Sequence, residues 1–182
     1  MRVTALALPG VLLIEHQVFE DPRGAFYEAW NERAFAAIGL DVRFVQQNLS
    51  VSRRGVLRGL HYQIRHTQGK LVRVLSGEIF DVVVDLRRSS PAFGRSGCVS
   101  LNATRPQSLW VPPGFAHGFL ALSDETRVQY QVTDFWSREA ERTLAWDDPA
   151  LAIPWPLAAG SAPLLSEKDA RGATLADAET FP

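Results

Sequence analysis

The chain has 182 residues, enough for one domain with a sizeable core, and its 46% hydrophobic and 21% charged residues are ordinary globular composition. Its 19 basic and 20 acidic residues leave a net charge of −1, so no global field recruits nucleic acid or an anionic membrane. The single cysteine, Cys98, has no partner within the chain, which fits a reducing cytoplasm, and no stretch reaches the roughly 20 apolar residues of a membrane helix.

The apolar opening VTALALPGVLLI is broken by Pro9 and Gly10 and lacks a small-residue cleavage site before them, so no secretory signal is expected. A strand is expected at GVLLIEHQVF (10–19), followed by good turn chemistry in Asp-Pro-Arg-Gly (21–24). One helix interrupts the strands at WNERAFAAIGL, where Asn31 is a good N-cap, Glu32 suits the positive N-terminus and Gly39 supplies a left-handed stop. Further strands are expected at VRFVQQNLSVS (42–52), KLVRVLSGEIFDVVVDLR (70–87), GCVSLNA (97–103), QSLWVPP (107–113), GFLAL (118–122) and TRVQYQVTDFW (126–136). The 70–87 stretch reads as a hairpin about Ser76-Gly77, with alternation that puts Arg73, Asp81 and Asp85 on one side. VLRGLHYQ (56–63) also has the apolar pattern of a buried strand, yet carries Arg58 and His61 in its middle.

Short strands at roughly 8–12-residue spacing predict an all-β sandwich or barrel. Beyond residue 146, Pro149, Pro154, Pro156 and Pro163 predict an irregular extension with short helical turns, of which SEKDA (166–170) is one candidate. The expectation is one domain over 1–182, with its core at about 10–146 and an extension at 147–182.

Of the four histidines, His16, His61, His66 and His117, each taken singly reads as a surface or structural residue. His61 stands out through its polar neighbours Arg58, Gln63 and Lys70. Arginine seldom buries without a partner, and histidine titrates near neutral pH. The residues alone leave two readings open: a solvated sheet face, or a pocket where an anion sits beside a base.

PPGFAHG (112–118) matches the P-x-G-x-x-H half of the cupin signature. The other half needs H-x-H followed by a carboxylate, but here it reads His61-Tyr62-Gln63 with no acidic residue until Glu78. A cupin-like barrel with its metal site dismantled is the expectation, so no metal and no cofactor are expected; a metal-dependent cupin enzyme is the alternative from another class. Gln46 and Asn48 share one side of a strand and offer two amides to a polar ligand, or else face solvent at an edge. Tyr130 reads as a phenolic acid or a core aromatic. Asp169, in Ser166-Glu167-Lys168-Asp169, fits a helix capping box.

Taken in order, LRGLH, GKLVR, GEIFDV, PPGFAHGF and SEKDA resemble the dTDP-4-dehydrorhamnose 3,5-epimerase family, over a span from about Val11 to Asp169. The resemblance implies a cupin-type double-stranded β-helix, or jelly-roll barrel, with a few short helices. It implies a cofactor-independent isomerase, a homodimer with strands exchanged between subunits, and no nucleic-acid or membrane partner. The implied reaction inverts C3 and C5 of dTDP-4-dehydro-6-deoxy-D-glucose to give dTDP-4-dehydro-L-rhamnose. Relatives that epimerise one carbon only, or ketoisomerases on a related sugar, are the alternatives.

Mapped by motif, the resemblance implies that His61 is the base, Asp169 its paired carboxylate, Lys70 the cation near the C4 oxygen and Tyr130 the acid. Arg23 and Arg58 match residues that grip the diphosphate, with Arg23 and Glu28 supplied by the partner subunit. Gln46 and Asn48 match nucleotide contacts, His117 a second pocket histidine, and Glu141 and Lys168 further substrate contacts. The family commonly has two tyrosines where this chain reads Phe135-Trp136, and Trp136 is expected to stack on the sugar or base.

Overall fold

The computed structural model describes residues 1–158 and 160–182. Its β-branched and aromatic runs form strands β1 (Arg2–Ala5), β2 (Leu12–Glu15), β3 (Val18–Asp21), β4 (Gly24–Tyr27), β5 (Gln46–Ser52), β6 (Leu57–Gln63) and β7 (Lys70–Ser76). They continue as β8 (Glu78–Asp85), β9 (Ser96–Asn102), β10 (Gln107–Val111), β11 (Phe115–Ala121), β12 (Thr126–Val132) and β13 (Glu141–Thr143). Helix α1 (Glu32–Ala36) lies between β4 and β5, and single 3₁₀ turns form at Pro149–Leu151 and Asp169–Arg171.

Two antiparallel sheets face one another. One has the order β1-β2-β10-β7-β12-β5 and the other β13-β6-β11-β8-β9, while β3 and β4 form a separate ribbon. This is the cupin-type all-β architecture that the sequence predicts. Alternate residues point inward, so Val72, Val74, Leu109, Val111 and Val128 of the first sheet meet Ile79, Val83, Leu101, Phe115 and Phe119 of the second. Each such side chain, fully buried, contributes roughly 1.5–3 kcal/mol relative to exposure.

Both outer faces carry cover. The C-terminal segment lays Leu151, Ile153, Trp155 and Phe181 over Leu60, Tyr62, Val82 and Val84. On the other side α1 sets Phe35 against Ile14, Leu71 and Trp110. The helix is short but begins and ends as expected: Asn31 Oδ1 accepts from the Ala34 N–H at 3.1 Å, and Gly39 has φ +86°.

Several local expectations are corrected. The strand expected over 10–19 is divided between β2 in the large sheet and β3 in the ribbon, with the buried His16 at the corner bonded to Ser108 Oγ at 2.8 Å. β1, for which no strand is expected from the sequence, pairs with β2. The 70–87 stretch is not a hairpin: β7 pairs with β10 and β12, whereas β8 pairs with β9 and β11 in the opposite sheet. Gly77, at φ +80°, turns a corner between sheets, and a corner needs the same glycine and flanking alternation as a hairpin. Arg73 therefore points outward beside Gln129, while Asp81 and Asp85 lie on the inward side of β8. Asp85 is taken up by Arg87 and Ser90. The strand expected over 118–122 starts earlier, because β11 begins at Phe115 and so carries His117.

The register between β6 and β11 explains Arg58 and His61. His117 lies opposite His61 and Phe119 opposite Arg58, so a two-residue step on β11 matches a three-residue step on β6. Such a bulge reverses the facing of the strand, and two residues of odd spacing come to share one side. Gly59 has φ +135°, and a Cβ at Gly59 would sit 2.5 Å from the Gly118 Cα. Gly59→Ala should therefore destabilise the fold by more than about 2 kcal/mol, read as a lower urea midpoint. A midpoint equal to that of the unaltered protein would mean that the close approach of β6 and β11 is dispensable.

Candidate active site

Where the β12–β5 edge of one sheet and the β13–β6 edge of the other diverge, the apolar interior gives way to a polar cavity of about 620 Å³. Inward positions of β5 contribute Gln46, Asn48 and Ser50, β7 contributes Lys70, and β12 contributes Tyr130. The facing sheet contributes Arg58, His61 and Gln63 from β6, His117 and Phe119 from β11, and Glu141 from β13. Phe135 and Trp136 close one side, and Ser166, Lys168 and Asp169 arrive from the C-terminal extension.

His61 and Asp169 are joined by a 2.5 Å hydrogen bond. The Asp169 side chain is only 5% exposed and so is held in place, whereas the His61 ring is 27% exposed. An ionised carboxylate only accepts, so Nε2–H of His61 donates to it and Nδ1 is left as the accepting nitrogen. Ser166 Oγ accepts the Asp169 N–H at 3.1 Å, one half of the predicted capping box. The other use of Asp169 is its bond to His61. Burial pushes the His61 pKa below its usual value, opposed by the bond and charge of Asp169. Burial pushes Asp169 upward, but its bonds to His61 and Ser166 outweigh this and hold the carboxyl below its usual range.

A second histidine–carboxylate pair lies deeper. His117 Nε2–H donates to Asp81 at 2.9 Å, and neither side chain is more than 7% exposed. Burial raises the Asp81 pKa against the pull of His117 and Lys70. Lys70 extends from the large sheet and donates from Nζ to the His61 carbonyl at 3.0 Å. Burial depresses its pKa to about 8, with Asp81 and Glu141 opposing the shift. Burial likewise raises Tyr130, while the Arg58 charge lowers it.

At the outer end Arg58 is held by Ser52 Oγ at 3.0 Å and the Val51 carbonyl at 3.2 Å. Lys168 pairs with Glu141 at 2.9 Å, and Gln46 Nε2 donates to Asn48 Oδ1 at 2.9 Å. The structure therefore brings His61, Lys70, Tyr130, Asp169, Gln46, Asn48, Arg58, His117, Trp136, Glu141 and Lys168 to one cavity. It does not bring Arg23 or Glu28 there. Arg23, 90% exposed at its side chain, pairs with Asp21, and Glu28 accepts from Asn31. His66 is a surface residue near Asp134.

Asp81, Gln63 and Phe135 were not singled out as site residues from the sequence. An acid inside the apolar run IFDVVVDL was the available signal for Asp81, and the two-residue spacing from His61 was the signal for Gln63. Among the described residues no three His, Cys, Asp or Glu side chains gather as metal ligands, and no helix is long and apolar enough to cross a membrane.

The family model described as dTDP-4-dehydrorhamnose 3,5-epimerase matches residues 5–177. The Pseudomonas aeruginosa dTDP-4-dehydrorhamnose 3,5-epimerase is 56% identical, with 100% of both chains covered. The crystal structure of a Legionella pneumophila dTDP-6-deoxy-D-glucose-3,5-epimerase in complex with dTDP-4-keto-L-rhamnose superposes with a TM-score of 0.93 at 43% identity, covering 98% of this chain and 94% of that one. A 3′-monoepimerase from Streptomyces bikiniensis, in complex with dTDP-quinovose, superposes at 0.87 with 35% identity, covering 94% and 86%.

The electrostatics of the first pair are open to a direct check. In an NMR titration of the histidine ring protons, His61 should titrate below 6.5, and Asp169→Asn should move it lower still, because the carboxylate is what opposes burial. An upward move in the variant would mean that the carboxylate does not stabilise the imidazolium.

Proposed function

The chain belongs to the dTDP-4-dehydrorhamnose 3,5-epimerase family, and on that premise we propose how its cavity converts dTDP-4-dehydro-6-deoxy-D-glucose into dTDP-4-dehydro-L-rhamnose. C3 and C5 both flank the C4 ketone, so loss of either proton gives an enolate whose charge rests on the C4 oxygen. His61 is the base: its Nδ1 takes the carbon proton, and the neighbouring Asp169 stabilises the imidazolium that results. Lys70 carries the charge that meets the enolate. Its pKa of about 8 leaves it protonated at neutral pH, and a desolvated ammonium gains more from a developing anion than a hydrated one does.

Tyr130 is the acid that returns a proton from the opposite side. With its pKa raised by burial the phenol is protonated at neutral pH, and Arg58 eases the charge it acquires on donating. The observation that carries this reading is the placement of base and acid on opposite walls, His61 on β6 of one sheet and Tyr130 on β12 of the other. Inversion needs removal on one face and return on the other. Each inversion leaves His61 protonated and Tyr130 deprotonated, and exchange with solvent resets both before the next carbon is inverted.

Around this centre Arg58 binds the diphosphate through guanidinium N–H groups not spent on Ser52 and Val51. Gln46 and Asn48 meet the nucleotide, His117 the sugar hydroxyls, and Glu141 with Lys168 the rim of the substrate. Trp136 offers a stacking face. Residues 10–146 and the extension 147–182 act as one domain, because the extension supplies Asp169. A second copy completes the site with Arg23 and Glu28. Support for this comes from the β3–β4 ribbon that carries Arg23, where the paired Phe19 and Phe26 are 56% and 69% exposed, and from the edge strand β5, where Leu49 is 59% exposed. With one cysteine and no partner for it, the cytoplasm is the proposed compartment.

The test of the reaction is turnover in deuterated water, followed by NMR. Label at both C3 and C5 of the product is expected, with His61→Asn abolishing exchange at both carbons in a folded protein and Tyr130→Phe suppressing completed inversion at C5. Label at one carbon in the unaltered protein would make this a mono-epimerase, and exchange retained in His61→Asn would remove His61 as base.

A second expectation concerns pH. The base must be neutral and the lysine charged, so log kcat/KM should fall on the acid side, lower than an ordinary histidine would place it, as His61 protonates, and again near pH 8 as Lys70 loses its proton. Lys70→Arg, which keeps its charge throughout, should lose the alkaline fall. A profile flat to about pH 9.5 in the unaltered protein would take the Lys70 charge out of the reaction.

A further inference from the structure

Phe135 and Trp136 form one side of the cavity although neither is secured by burial, being 63% and 53% exposed. They sit in the connection between β12 and β13, where no strand ladder satisfies the backbone. Side-chain amides do so instead. The Trp136 N–H donates to Gln46 Oε1 at 3.0 Å, and the Asp134 carbonyl accepts from Gln68 Nε2 at 2.9 Å. Gln63 makes the central set of bonds. Its Oε1 accepts the Ser137 N–H at 2.7 Å, and its Nε2 donates to the Phe135 carbonyl at 3.2 Å and to the His66 carbonyl at 2.6 Å.

Gln63 is 4% exposed, so these bonds form away from competing water. It sits two residues beyond His61 on the same face of β6, yet bonds to none of His61, Asp169, Lys70 and Tyr130. The amide is the complement of the loop: one acceptor for an N–H and two donors for carbonyls. Glutamate would keep the acceptor and set a charge against two carbonyl oxygens, and leucine would leave all three backbone groups unpaired.

We propose that Gln63 is a positioning residue that fixes Phe135 and Trp136 as a wall of the cavity and thereby sets how tightly the nucleotide sugar is held. This rests on the cavity being the nucleotide-sugar site. Proton transfer is left to His61 and Tyr130 and enolate stabilisation to Lys70, so Gln63 governs binding more than chemistry.

The experiment compares the full-length protein with Gln63→Ala, Trp136→Ala and the double variant, using calorimetric titration with dTDP, steady-state turnover, and amide hydrogen exchange of residues 134–138. Gln63→Ala should raise the dTDP Kd and the KM about tenfold while kcat falls less than about threefold. The Ser137 amide should exchange faster without ligand. The double variant should lose less affinity than the two single losses combined, because Gln63 acts in part through Trp136. Unchanged Kd, additive losses in the double variant, or a fall confined to kcat would each overturn the proposal. Should Gln63→Ala fail to fold, Gln63→Glu, of nearly equal volume, is measured in the same way with the same expected signs. Faster Ser137 exchange together with no dTDP binding by the unaltered protein would sink the nucleotide-sugar reading and leave the clamp standing; unchanged exchange would sink the clamp itself.

Discussion

A β-strand presents alternate residues to opposite faces, and β6 would on that rule send Arg58 and His61 to different sides of its sheet. The close approach of Gly59 to Gly118 breaks the rule at one point. Side chains at either position would collide with the facing backbone, since a Cβ on Gly118 would sit 2.6 Å from the Arg58 carbonyl. The extra residue taken up there turns Arg58 inward with His61 and Gln63, while Leu60 and Tyr62 stay packed outward against the C-terminal segment. Arg58, His61 and Gln63 thus reach one cavity because of two residues that have no side chain at all.

The same sandwich sets the electrostatics. Its apolar interior fills the gap between sheets at one end, so the polar end is walled by low-dielectric material and only partly open to water. Charges there interact strongly and are costly unless partnered. His61 has Asp169, His117 has Asp81, and Lys168 has Glu141. Lys70 differs, for its ammonium is bonded to a neutral carbonyl and its pKa is depressed, so it is the charge with most to gain from an anion formed beside it. The rest of the fold bears the cost of that destabilised cation, with the inter-sheet core supplying the compensating burial.

What could be read from the sequence follows from which signals are local. Strand runs, the α1 cap at Asn31 and the stop at Gly39 depend on neighbours a few residues apart, and they appear where composition places them. The Ser76-Gly77 link looks like a hairpin because a turn constrains φ but says nothing about which sheet the next strand joins. Arg58 and His61 posed a question that only the Gly59 bulge resolves, and the sequence could name the glycine without giving the register. Only the family motifs mark Asp169 as a site residue. By itself it was a capping residue, and its contact with a histidine 108 positions away is not a local property. Asp81 and Gln63 had weak signals, since one acid in an apolar strand and one amide on an inward face are each common in ordinary cores.

The charge inventory of the cavity bears on what completes it. With Lys168 engaged by Glu141, His61 by Asp169, and Lys70 buried against the His61 carbonyl, Arg58, at the outer end of the cavity, is the cation among the described lining residues that has no carboxylate partner. One guanidinium is a thin counterweight for a nucleoside diphosphate. The overall charge of −1 gives no long-range help, so the remaining positive charge has to be brought in locally. Arg23 would fit that need: it stands at the tip of a two-stranded ribbon, its ion pair to Asp21 is exposed, and the ribbon's exposed phenylalanines favour a protein surface over water. On this argument a second copy would serve as part of the phosphate site, and substrate affinity and assembly would rise and fall together.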